Sequence, residues 1–123
     1  MKAEPAPRGR SVLNVEDDPR TRAALVSVLT LMGFHTVSVA SVAQGLEKLD
    51  GQHFAILDLN LPDGLGTHVL KRIRDEKRSI RVAVVTGASD AAQLAAARAL
   101  GPELFLQKPV DLDALLNWLN SAD

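Results

Sequence analysis

The sequence predicts an α/β fold, five strand–helix units around a parallel sheet with helices on both faces. Three observations predict it. Along the 123 residues, short β-branched or aliphatic runs alternate with longer amphipathic stretches. Two of the short runs, residues 55–57 and 82–85, are almost continuously apolar, as strands covered on both faces are. The longer stretches carry explicit helix start and stop signals.

The elements follow in order. Residues 1–10, MKAEPAPRGR, hold two prolines, a glycine and mixed charges with nothing to bury. They read as a flexible tail ahead of a single domain over residues 11–123. The first strand spans 11–15, and its Asn14 needs a hydrogen-bond partner if buried. Asp18-Pro19 is an N-cap followed by proline at the first helical position. Ala24, Leu25, Val28, Leu29 and Met32 then form one apolar stripe, and Gly33 ends the helix. The second strand, 34–39, alternates polar and apolar, which suits a sheet edge. Ser41-Val-Ala-Gln44 is a capping box for a second helix reaching about Leu49. The third strand is 54–57. The third helix runs from about Thr67 to Arg74 and buries Val69, Leu70 and Ile73. After the fourth strand, 81–85, Ser89-Asp90 opens a helix that stops at Gly101-Pro102. The fifth strand is 104–106. The last helix follows Asp111 with Leu112, Leu115, Leu116 and Leu119 on one face.

Composition narrows the function. A net charge of −1 gives no bulk attraction to nucleic acid or to an anionic membrane. With aromatics at 3% and no tyrosine, an aliphatic core is expected and a base-stacking platform has almost nothing to be built from. The absence of cysteine removes disulfides, thiolate catalysis and Cys-based zinc or iron–sulfur sites, and fits a cytoplasmic setting. No apolar run approaches a membrane span, and the N-terminus has no apolar signal core. The three histidines, His35, His53 and His68, are spread too widely to form a ligand set. The basic run Lys71-Arg72, Arg74, Lys77-Arg78 reads as a solvated helix face, with docking as its other use.

The polar residues of interest stand at strand ends. The first strand runs into Glu16-Asp17-Asp18, the third into Asp58, the fourth into Thr86 and the fifth into Lys108-Pro109. In an open parallel α/β sheet these carboxyl ends share one edge, where ligands bind. One acidic residue at a strand end is commonly a helix cap, as Asp18 is expected to be. The joint pattern is not explained by capping. Clustered carboxylates repel one another unless a cation intervenes, and an oxygen-only donor set suits Mg²⁺ or Mn²⁺ rather than Zn²⁺. A carboxylate beside such an ion can attack phosphorus, while a hydroxyl and an ammonium support the phosphoryl oxygens.

The motifs VLNVEDDP, AILDLNLPDGLG, VAVVTGAS and LFLQKPVD, in this order and spacing, resemble the receiver domain of two-component response regulators over nearly the whole chain. The resemblance implies a flavodoxin-like, doubly wound fold with strand order 2-1-3-4-5. It implies Asp58 as phosphoacceptor, with Glu16, Asp17 and the backbone carbonyl of Asn60 joining Asp58 around Mg²⁺. Asp17 would be a direct ligand, and Glu16 would act mainly through water. Thr86 would turn toward the phosphoryl group and Lys108 would pair with it. Phe105 would be the aromatic switch residue. The Lys108-Pro109 peptide would be cis. The phosphoryl donor would be a sensor histidine kinase or a histidine phosphotransfer protein. The output would use the face formed by the fourth helix, fifth strand and fifth helix, where Phe105 and Trp118 are expected. Such a domain catalyses its own phosphorylation and dephosphorylation without being a turnover enzyme for another substrate.

Two other readings compete. A haloacid-dehalogenase-type phosphatase wants a second acid two residues after its aspartate nucleophile, where Asn60 stands here. An interaction module that never accepts phosphate would keep the fold alone. A flavin-binding reading fails because Glu16-Asp17-Asp18 would repel the phosphate that the first loop must cradle.

Overall fold

The computed structural model describes residues 10–121. Apart from Arg10, the expected tail lies outside the described residues. Strands β1 (Ser11–Val15), β2 (His35–Val39), β3 (Phe54–Leu57), β4 (Arg81–Thr86) and β5 (Leu104–Gln107) form one sheet. Every pairing in it is parallel, in the order β2-β1-β3-β4-β5. This is the expected 2-1-3-4-5 order. Helices α1 (Pro19–Leu31), α2 (Val42–Glu47), α3 (Thr67–Asp75), α4 (Ala91–Ala99) and α5 (Leu112–Ser121) connect them. No helix among the described residues is long and apolar enough to cross a membrane.

Differences from the expected elements are small and have local causes. Phe34 leaves β2 and turns into the core, 4% exposed. β4 gains Thr86 and β5 gains Gln107, because these two residues pair with each other. α2 stops at Glu47, before Leu49. A miniature antiparallel hairpin, Asn60–Leu61 with Gly64–Leu65, follows β3 and was not expected.

The caps are where sequence placed them. Asp18 accepts the Thr21 amide, Ser41 accepts the Gln44 amide, and Asp90 accepts the Gln93 amide. The Gln44 side chain reaches back to the Ala40 amide at 3.0 Å.

Alternation along the strands divides the core in two. Leu13, Val15, Leu57, Val82 and Val84 face α2, α3 and α4. Val12, Phe54, Ile56, Ala83 and Val85 face α1 and α5. Asn14, 1% exposed, donates to Ser38 Oγ on the neighbouring strand at 3.4 Å, a long contact.

The core is not purely aliphatic. Phe34 and Phe54 meet edge to face at 6.0 Å between ring centres, and Phe54 meets Trp118 at 5.4 Å. Trp118 therefore turns inward on the α1–α5 side, although it lies off the leucine stripe of α5. Of that stripe only Leu115 and Leu119 are buried, and Leu112 is 40% exposed. On α1 only Leu25 and Leu29 of the expected stripe are buried.

Candidate functional site

The carboxyl ends of β1, β3, β4 and β5 gather the polar groups into one crevice. Glu16 follows β1 and is 5% exposed. One of its oxygens accepts the Asp18 amide at 3.0 Å and the other accepts Lys108 Nζ at 2.7 Å. Asp17 is exposed beside it. Asp58 follows β3, is 7% exposed, and accepts the Leu59 amide at 2.7 Å. Its second oxygen accepts Lys108 Nζ at 3.0 Å. One ammonium thus spans two carboxylates from different strands. The Lys108 amide donates to the Thr86 carbonyl at 2.8 Å, which ties the two strand ends together, and the Lys108-Pro109 peptide is cis.

Glu16, Asp17 and Asp58 each offer an oxygen within 4.8 Å of the others. Burial pushes the Glu16 carboxyl above its ordinary range. The Lys108 hydrogen bond and the Asp18 amide pull against this, and the neighbouring Asp58 charge adds to it. Burial works to lower Lys108, but its bonds to Glu16 and Asp58 outweigh burial and hold it above the ordinary lysine value.

Thr86 is fully buried, and its Oγ1 accepts the Ala88 amide at 3.0 Å. The exposed Asn60 accepts Gln93 Nε2 through its side chain at 2.7 Å, a link from the hairpin to α4. Phe105 is partly buried on the α2–α4 side, with the Arg98 guanidinium 4.0 Å from its ring centre. Trp118 packs in the opposite layer. The two residues expected on the α4–β5–α5 face thus lie in the two layers that flank the edge strand β5. α5 packs its tryptophan against Phe54 and leaves it half-buried.

Several supporting residues were missed by sequence. Arg22, one turn into α1, donates through Nη1 to the backbone carbonyls of Glu16 at 2.8 Å and Asp17 at 3.2 Å. Asp63 accepts the amides of Val42 and Ala43 at 2.8 and 3.0 Å, fastening the hairpin to the start of α2. Those two amides hold its carboxyl below the ordinary range. Gly66 lies against the Asp58 carbonyl, and an added Cβ would stand 1.8 Å from that oxygen. Only Gly66 carried a hint, as the last glycine of the DGLG run. Arg22, Asp63 and Gln93 act through side-chain reach across elements, which periodicity does not encode. The basic run is likewise more than a solvated face. Arg74 ties α3 to Glu103 and to the carbonyls of Leu100 and Gly101.

Comparison with known proteins places these features in context. A family model described as the response regulator receiver domain matches residues 12–120. The photosynthetic apparatus regulatory protein RegA of Rhodobacter capsulatus is 31% identical over 112 residues, 89% of this chain and 61% of that protein. The chain thus spans about three fifths of that relative's length. A CheY-like receiver domain protein from Methanospirillum hungatei JF-1 superposes with a TM-score of 0.82 at 24% identity, covering 89% of each chain. A response regulator from Burkholderia pseudomallei, solved with a phosphorylated aspartic acid, calcium and citrate, superposes at a TM-score of 0.80. It is 21% identical, and the match covers 91% of this chain and 67% of that one. Both structures share the fold.

Proposed function

The chain belongs to the response regulator receiver family, and from that membership we propose that Asp58 is its phosphoacceptor. It is a receiver domain of the two-component type, a signalling module. The observation that carries the assignment is the position of Asp58. It is nearly buried, hydrogen-bonded to Lys108 Nζ, and grouped with two further carboxylates at the sheet edge.

The donor set fits a hard divalent ion. Three carboxylates converge with one ammonium among them, every donor is oxygen, and Asp17 keeps the outer side open to water. Asp17, Asp58 and the Asn60 backbone carbonyl would hold Mg²⁺ or Mn²⁺, with Glu16 acting mainly through water. The bound ion supplies positive charge to the phosphoryl oxygens. An Asp58 oxygen attacks phosphorus of a phosphohistidine, an O–P bond forms, and the P–N bond to the donor imidazole breaks. Lys108 then pairs with the phosphoryl oxygens in place of the carboxylate it holds now. Thr86 exchanges its Ala88 amide for the phosphoryl group, and Phe105 follows the vacated space. Water attack on the acyl phosphate restores Asp58. The donor is a sensor histidine kinase or a histidine phosphotransfer protein, and the output surface is the α4–β5–α5 face around Phe105.

The test is intact-mass spectrometry after incubation with acetyl phosphate, with and without Mg²⁺, beside Asp58→Asn. A single labile phosphoryl adduct that needs both Mg²⁺ and Asp58 is expected. No adduct, even with a phosphorylated donor protein, would make the chain a fixed interaction module.

A further inference from the structure

At the sheet edge opposite Asp58, the amino-terminal ends of the strands leave an open recess of about 460 Å³. Its lining includes four arginines, Arg10, Arg74, Arg78 and Arg81, with His53 and a single carboxylate, Glu103. The arginines come from the approach to β1, from α3, from the α3–β4 connection and from the first residue of β4. Four guanidinium groups around one concavity repel one another unless anions answer them. The protein supplies only part of the answer. Arg74 is matched by Glu103 at 3.1 Å, and Arg78 by Asp50 and Glu76, each at 2.7 Å. Arg81 is different. Its Nε is buried and has no hydrogen-bond partner among the described residues. A buried guanidinium N–H without an acceptor is costly, which calls for an ordered water or an anion beside it. Arg10 adds a second cation, spread over the Phe54 ring at 6.0 Å. His53 accepts the Ser11 amide at Nδ1 at 3.0 Å, which leaves Nε2 as its donor position.

We propose that this recess binds a small, multiply charged oxyanion, with Arg81 and Arg10 as its principal contacts. Planar guanidinium forks match phosphate and carboxylate oxygens, and the volume suits a small molecule. The recess is a compact pocket and not an extended basic stripe, so a polyanionic chain is not its natural ligand.

The test is an amide chemical-shift titration of the metal-free protein at low salt, with inorganic pyrophosphate and, separately, malonate. Saturable shifts at His53, Ser79, Arg81 and Glu103 are expected with at least one of the two, and the preferred probe tells phosphate from carboxylate. Arg81→Gln and Arg10→Gln should each weaken binding roughly ten- to a hundredfold. Asp58→Asn should leave it unchanged. Arg81 is half-buried at a strand start, so Arg10→Gln keeps the test decisive if the first variant fails to fold. Shifts confined to the Asp58 crevice, an absence of saturation with both probes, or unchanged affinity in the folded variants would overturn the proposal.

Discussion

Replacing Gly66 with alanine separates local propensity from local space. Gly66 has φ −59°, an ordinary helical value, so alanine fits the backbone conformation and should gain about 0.5–1 kcal/mol from reduced chain entropy. Space says the opposite. The new Cβ would lie 1.8 Å from the Asp58 carbonyl oxygen, 2.9 Å from its carbon and 3.2 Å from Leu59 Cα. All three are backbone atoms and cannot rotate away. They are held by the Asp58 amide on Val15 at 3.0 Å and by the Gly66 amide on Leu59 at 2.8 Å. Relief needs a backbone shift of about an ångström at Asp58. Overpacking of this kind costs typically 1–3 kcal/mol, and immovable neighbours put it at or above the top, about 3 kcal/mol. For a domain of this size that is a fall in Tm of about 10 °C. Thermal and urea melts read it directly, beside Gly87→Ala. There the added Cβ meets only Lys108 Cδ at 3.9 Å, and stability should stay within about 0.5 kcal/mol. A Gly66→Ala protein that melts with the parent would refute the steric reasoning, and one that melts higher would hand the decision to chain entropy.

Three further perturbations test other contacts. Asp63 is held below the ordinary carboxylate value of 3.8, so its contribution is present above that pH and is lost as pH falls through its folded value. The stability gap between parent and Asp63→Asn should therefore be widest near neutrality and narrow below about pH 4. A gap constant across an acid titration monitored by urea melts would contradict this. Arg22→Ala removes a donor shared by the Glu16 and Asp17 carbonyls, costing about 1–2 kcal/mol and loosening the acidic loop. Calorimetric titration should show weaker Mg²⁺ binding, and equal affinity would count against a positioning role. Trp118→Ala should cost about 3–5 kcal/mol in urea melts. Trp118→Phe should cost under about 1.5 kcal/mol, because the indole N–H is buried without a partner among the described residues and no polar contact there is lost.

The strands and helices were legible because each rests on short-range physics. β-branched runs, an Asp-Pro start, a capping box and a Gly-Pro stop act within one turn of the chain. The meeting of Glu16, Asp17, Asp58 and Lys108 was legible for a different reason. Parallel strands bring their carboxyl ends to one edge whatever the connections contain. What stayed hidden depends on reach. Arg22 folds back to two carbonyls, Asp63 caps a helix that precedes it by about 20 residues, and Gln93 crosses to Asn60. No spacing rule announces such contacts. Trp118 lies off the leucine stripe of α5, and its half-burial comes from the sideways reach of a large ring onto Phe54. Strand alternation puts Phe105 on the α4 side of β5, while Trp118 packs on the α5 side.

The aromatic side chains are unevenly shared between those layers, and this has a spectroscopic consequence. Trp118 is the one tryptophan in a chain without tyrosine, and its ring sits against Phe54 in the α1–α5 layer. Phe54 opens β3, four residues and about 13 Å before Asp58 at the other end. Ultraviolet emission from this protein therefore comes from one corner of one layer. It will dim or shift as that corner unfolds. The molecule carries a built-in optical gauge of the integrity of its α1–α5 layer.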